Sequence, residues 1–157
     1  MTRWPASFSM LPKRLYDRLT EGQQQFLKFS FVGGVGFVVD AGTFSVLTKY
    51  LGFDLVTGRV VSSLIFGMTA TWLLNRYLTF RNQRGGSIGG QYLRFAMANI
   101  IGNVLNIGTH SVLVETIGFF HRTPLLGIVA GTAVGLVFNF TGSKYFVFRP
   151  IEQDRQV

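Results

Sequence analysis

The sequence predicts an all-α membrane protein. It expects four transmembrane helices, arranged as two helical hairpins in parallel repeat, with both termini on the inner side and a short amphipathic helix at the interface before them. Three observations predict this. Only 14% of the 157 residues are charged, against about 25% in a soluble domain. The apolar residues fall into four blocks, roughly 29–51, 56–78, 93–119 and 125–147, each long enough to cross about 30 Å of hydrocarbon as a helix. And 12 of the 15 basic residues lie on one side of those blocks, the positive-inside pattern. A buried soluble α/β core is the competing reading; four long blocks on very short linkers disfavour it.

The elements follow in order. Residues 1–25 are a lead. Leu11, Leu15 and Leu19 recur every four residues with Lys13, Arg14, Asp17 and Arg18 between them, and Pro12 suits a first turn, which describes a short helix on the inner leaflet. The first block has a polar lead and no A-x-A site, so it does not read as a cleaved signal. The connections near 52–57 and 119–124 are short, while Asn82–Gln91 (NQRGGSIGGQ) is a flexible basic loop. Residues 150–157 form a tail. A net charge of +8 raises nucleic acid as a partner, but the placement of the cations records topology and affinity for anionic lipid instead. With no cysteine there is no thiol chemistry and no disulfide framework.

The membrane part, 26–149, repeats itself as 26–81 and 92–149. FLKF (Phe26–Phe29) matches YLRF (Tyr92–Phe95) and SVL (Ser45–Leu47) matches SVL (Ser111–Leu113) at an offset of 66; RYLTFR (Arg76–Arg81) matches KYFVFR (Lys144–Arg149) at 68. The two extra residues fall in the second outer turn. Each hairpin begins and ends on the same side, so a pseudo-two-fold axis along the membrane normal is expected.

The polar residues inside the blocks are the candidates for function. Gly33, Gly36, Asp40 and Thr43 share one face of the first helix; Asn99, Asn103, Asn106 and His110 share one face of the third. A charge at the bilayer centre costs roughly 2.5–3.5 kcal/mol on insertion scales, so Asp40 should face the bundle interior or a wet cavity, or be protonated. Two readings stand: a polar path for a headgroup, or hydrogen-bonding glue between helices. Gly127, Gly131 and Gly135 form a double G-x-x-x-G, a close helix contact within the fold or between subunits. Lys49, Glu115 and Arg59 suggest an outer ion-pair cluster or separate snorkelling. At the inner face Arg76 and Lys144, each among aromatics, either grip a phosphate or serve as anchors in the aromatic belt. Neither a metal site nor a catalytic constellation is present: His110 and His121 are far apart and no Walker motif or nucleophile elbow occurs. The chain therefore reads as neither an enzyme nor an ATP-driven pump, and needs no cofactor.

FLKFSFVGGVGFVVDAGTFSVL, LLNRYLTFR, YLRF and NFTGSKYFVF, with an Asp seven residues after the first Gly of V-G-G and a basic residue four before the closing phenylalanine of each hairpin, resemble the GtrA-like family of small bacterial membrane proteins over about residues 26–149. One position departs: Thr71 stands where the family pattern has an asparagine, which Asn139 keeps in the fourth helix. The resemblance implies flipping of a polyprenyl-phosphate-linked monosaccharide across the bacterial inner membrane, for glycosyltransferases acting outside in cell-envelope polysaccharide synthesis. It points to Asp40, Asn75, Arg76, Asn139 and Lys144. Asp40, Asn99, Asn103, Asn106 and His110 would line the headgroup's path, and Arg76, Lys144, Asn75 and Asn139 would hold the phosphate. Two alternatives remain: an anchor that recruits a glycosyltransferase, and a small cation or drug exporter. Four helices enclose little interior, so a homo-oligomer is expected, with the fourth-helix glycines as its candidate contact.

Overall fold

A computed structural model describes residues 16–83 and 85–148; the leucine-patterned lead up to residue 15, Arg84 and the tail from residue 149 lie outside the described residues. The described chain is helical throughout, without strands.

Helix α1 (Glu21–Lys49) starts on a reciprocal capping box. The Thr20 hydroxyl accepts from the Gln23 N–H, and the Gln23 side chain accepts from the Thr20 N–H. It begins eight residues before the first apolar block. It ends where Gly52 takes φ +70°, a left-handed turn that suits glycine. Asp54 then caps α2 (Leu55–Val61), accepting from the N–H groups of Val56 and Thr57 at 3.0 Å each. The helix does not stop at Val61. It passes through a π-helical segment at Ser62–Gly67, returns to α at α3 (Met68–Leu74), and finishes in a second π segment at Asn75–Thr79. The junction residues Ser62, Met68 and Asn75 keep right-handed helical dihedrals, so 55–79 is one unbroken rod.

Ser87 caps α4 (Ile88–Thr116) through the Gly90 N–H. The second outer connection, expected as a plain turn, is a short helix, α5 (Gly118–Arg122). Pro124 then opens α6 (Pro124–Gly142) from its first turn, where its missing N–H costs nothing. A third π segment, Ser143–Val147, closes the fourth rod. Two rods, Glu21–Lys49 and Pro124–Val147, are long and apolar enough to cross a membrane, with mean hydropathies of 1.5 and 1.7.

Small residues set the contacts within each hairpin. A Cβ at Gly36 would lie 1.9 Å from Thr71 Oγ1, and one at Gly67 would lie 2.9 Å from Asp40 Cβ, so α1 and the second rod meet closely. In the other hairpin a Cβ at Gly102 would lie 1.9 Å from Asn139 Oδ1, and one at Gly135 would lie 3.0 Å from Asn106 Cβ. Gly36 and Gly102, and Asp40 and Asn106, are the pairs at the 66 offset; Thr71 and Asn139, and Gly67 and Gly135, are those at 68. The same side-chain pairings recur with nearly the same spacing.

The hairpins join at one end, around buried Phe29, Trp72, Phe80, Phe95 and Phe148. Phe80 and Phe148, equivalent at the 68 offset, stack on each other with centroids 4.7 Å apart and planes 15° apart. Around them two contacts come in matched pairs, while Phe140 also meets Phe29 at 5.6 Å and Phe80 at 6.2 Å without a counterpart at Trp72 among the described residues. Phe29–Phe80 is 6.3 Å at 62° and Phe95–Phe148 is 6.2 Å at 61°. Trp72–Tyr92 is 5.3 Å at 89° and Phe140–Phe26 is 5.2 Å at 86°. Such edge-to-face pairs contribute roughly 0.5–1.5 kcal/mol each beyond their buried area.

Candidate functional site

Asp40 sits well inside α1 and is buried, and its environment is specific. Arg59 Nη1 stands 2.6 Å from its Oδ2, and the Ser62 hydroxyl donates to its Oδ1 at 2.7 Å. Both partners come from the second rod, Arg59 from α2 and Ser62 from the first residue of the π segment. Gly67, the last residue of that segment, lies flat against the Asp40 Cβ. The carboxylate thus clamps a full turn of π-helix to α1. Its own side chain is 10% exposed, while that of Arg59 is 58% exposed. The pair is therefore lopsided: a fixed acid and a guanidinium with an open side. The other side of the π segment is held by the second hairpin. Tyr92 donates its phenol to the Leu64 carbonyl at 3.2 Å and lies 3.1 Å from the Thr69 hydroxyl.

Arg59 therefore belongs to Asp40 and not to the outer cluster with Lys49 and Glu115. Among the described residues neither of those two enters an ion pair. Asp40 has no charged counterpart in the second hairpin: the positions matching Asp40, Arg59 and Ser62 are Asn106, Gly127 and Ala130.

The four-residue polar face on α4 is divided. Asn99 Nδ2 donates to the Phe95 carbonyl of its own helix at 2.8 Å. Asn103 is exposed. Asn106 fills the seam against α6, where a Cβ at Gly131 would come within 2.4 Å of its backbone oxygen. His110 Nδ1 would lie 2.9 Å from a Cβ at Gly127, and it is buried without a partner among the described residues. The side of α4 turned to α6 runs through Ala98, Gly102 and Asn106, which leaves Asn103 beyond its edge. The three glycines of α6 are buried in this seam, so they serve the fold and are closed to a neighbouring subunit.

At the aromatic end the two cations occupy matched positions. Arg76 lies 5.9 Å from the centroid of the Trp72 ring and Lys144 lies 5.8 Å from that of Phe140. Neither has a carboxylate partner among the described residues. Arg76 Nη1 also donates to Gln91 Oε1. Lys144 makes no such bond among the described residues; a second ring, that of Tyr145, lies 5.5 Å from it. Asn75 and Ser143, each the first residue of a closing π segment, are fully buried. Both amide atoms of Asn75, Ser143 Oγ, Gln91 Nε2 and Gln25 Oε1 have no hydrogen-bond partner among the described residues. Each such atom costs roughly 1–3 kcal/mol. Asn139 lies apart from these residues: its amide is turned into the seam at Gly102, as Thr71 is turned to Gly36, and its Oδ1 is also without a partner among the described residues. The departure at Thr71 thus falls on a packing position.

Gln25 and Gln91 were not singled out from the sequence, although they match at the 66 offset. Beside Lys144 an open apolar groove of about 470 Å³ runs between α1 and α6, lined by Leu19, Gly22, Gln23, Phe26, Leu27 and Phe140. No group of three or more metal-ligating side chains occurs among the described residues.

A family model described as GtrA/DPMS, transmembrane domain, matches residues 28–148. No curated protein matches the chain.

Proposed function

The chain belongs to the GtrA/DPMS transmembrane-domain family, and from that premise we propose that it flips a polyprenyl-phosphate-linked monosaccharide across the bacterial inner membrane. In this reading all four rods cross the bilayer, with the aromatic end and both termini in the cytoplasm and the Asp54 end outside. The observation that carries it is the aromatic end of the bundle, where Lys144 lies on aromatic faces beside an open apolar groove and has no acidic partner among the described residues. Such a cation selects a phosphate rather than a neutral sugar.

Arg59 marks the other end of the route. It lies on the same rod as Arg76, roughly 25 Å away at about 1.5 Å per residue, close to the thickness of the hydrocarbon core. Its open side offers the arriving phosphate a guanidinium that Asp40 holds in place. The lipid tail stays in the bilayer, so only the headgroup needs polar contacts, and the chain does no covalent chemistry. Sugar transfer outside drains the equilibrium. The protein acts as a homo-oligomer beside a membrane glycosyltransferase.

The ion pair also weighs between the alternatives. Asp40 is already occupied by Arg59, which leaves no vacant acid buried inside the bundle among the described residues for a transported cation and disfavours an exporter. It equally gives Asp40 a structural role, so a non-transporting anchor for a glycosyltransferase remains the second reading.

The test is reconstitution in liposomes holding a labelled polyprenyl-phosphate sugar, with outward exposure of the sugar as the readout. Flipping predicts protein-dependent exposure that Arg76→Glu with Lys144→Glu abolishes. A cation exporter would be indifferent to that double reversal. Exposure no greater than in empty liposomes, with the protein folded, would overturn flipping and favour the anchor.

A further inference from the structure

The two cations are matched in position and unmatched in surroundings. Arg76 is latched by Gln91, and the adjacent Tyr92 is tied to Leu64 and Thr69. Lys144 has aromatic faces and no hydrogen-bond acceptor among the described residues, although Gln25, the counterpart of Gln91, is buried beside Phe29 on α1 with its Oε1 unpartnered. The carboxylate nearest in sequence, Glu21, accepts from Gln25 Nε2 at 3.4 Å. The difference has a visible source. A Cβ at Gly22 would lie 3.3 Å from Lys144 Nζ, so a glycine there gives the ammonium access to the groove. The matching position in the second repeat is Ile88, and the matching ring to Phe140 is the larger Trp72.

We propose that the two half-sites are unequal: Lys144 and the Leu19–Phe26–Phe140 groove bind the phosphate lipid, and the Arg76 half is a structural latch. The phosphate sits on the Lys144 ammonium at the groove's rim, and the first isoprene units lie in the apolar trough below it. An open trough with one cation at its end and almost no polar lining fits an amphiphile with a single anionic head. This rests on the reading of the protein as a handler of phosphate lipids, and it adds where the lipid enters.

The experiment measures retention of polyprenyl phosphate by the full-length protein in phosphatidylcholine nanodiscs, by native mass spectrometry. Lys144→Gln is expected to lower retention at least tenfold, with recovery in Lys144→Arg. Gly22→Leu, which fills the trough and favours the helix, is expected to do the same with the cation intact. Arg76→Gln is expected to change retention less than threefold, and millimolar inorganic phosphate is expected not to displace the lipid. Equal losses for Arg76→Gln and Lys144→Gln would overturn the inequality. So would displacement by free phosphate, unchanged retention in Gly22→Leu, or no retention by the wild type. Flipping is read separately in liposomes. Binding at Lys144 without flipping would sink the translocation reading and leave this one standing; flipping with equal dependence on both cations would do the reverse.

Discussion

Arg59 Nη1 lies 2.6 Å from Asp40 Oδ2, yet the two side chains are 58% and 10% exposed. The acid is the buried partner, so its loss and the loss of the arginine are not equivalent. Arg59→Gln leaves a carboxylate with only the Ser62 hydroxyl, inside an apolar rod. Asp40→Asn leaves a guanidinium that still reaches polar surroundings. Arg59→Gln is therefore expected to destabilise more than Asp40→Asn, and the double variant less than the sum. The coupling should be about 1–2 kcal/mol, the lower part of the range for contacting charges because Arg59 is so open. A double-mutant cycle by denaturant unfolding in mixed micelles checks this; zero coupling would mean the pair is incidental.

The helix contacts predict a sharp contrast among glycines. At Gly131 a Cβ would meet the Asn106 backbone oxygen at 2.4 Å, and backbone cannot swing aside. At Gly108 on α4 it would meet nothing within 4 Å. Gly131→Ala is expected to cost about 1–3 kcal/mol as an overpacked seam. Gly108→Ala is expected to be neutral or stabilising by up to about 1 kcal/mol. Unfolding midpoints of the two variants, measured together, decide it; equal values would refute the seam.

How much of this was legible in the sequence depends on the kind of signal. The 66 and 68 offsets pointed to matched contacts, because RYLTFR and KYFVFR repeat type and order over six residues; the Phe80–Phe148 stack and the paired cations follow that match. The glycines of α6 announced a close contact but not its partner, since G-x-x-x-G reads the same within a chain and between chains. Asp40 with Arg59 was hidden for a different reason. The pairing joins two rods across the outer turn, and the periodicity of either rod does not say which of its residues meets which residue of the other; past Arg59, counting 3.6 residues per turn through Ser62–Gly67 also puts later residues on the wrong face. The latch of Arg76 by Gln91 joins two hairpins, and periodicity within one helix carries no information about that.

Asp54 gives a pH dependence. Hydrogen bonds from Thr57, side chain before backbone, hold its carboxyl below the ordinary value of 3.8. A lowered folded value means the cap contributes fully above 3.8 and is lost as pH falls through the folded value. Wild type should therefore lose stability relative to Asp54→Asn as pH falls below about 4, since asparagine caps without titrating. Midpoints of unfolding for the two proteins between pH 3 and 6 test the sign; parallel curves would show that the cap does not form.

The aromatic joint makes the last prediction. Phe80 and Phe148 are 1% and 0% exposed and stacked at 4.7 Å, each touched edge-on by one further ring, Phe29 or Phe95. Truncating either removes a fully buried ring at the place where the hairpins meet, so Phe80→Ala and Phe148→Ala should each cost about 3–5 kcal/mol. Phe80 also stacks on Phe140 at 6.2 Å and 29°, so Phe80→Ala is expected to cost the more of the two, and a cycle between them should show coupling of about 0.5–1.5 kcal/mol from the stack itself. Since the seams at Gly36 and Gly135 lie within single hairpins, these variants should separate the hairpins while leaving each one helical. The chain has no cysteine, so a single introduced pair, one cysteine in α3 and one in α4, reports that separation by cross-linking yield. Loss of cross-linking together with loss of helical circular dichroism would show instead that the hairpins cannot hold their shape apart, and that the joint is part of one indivisible core.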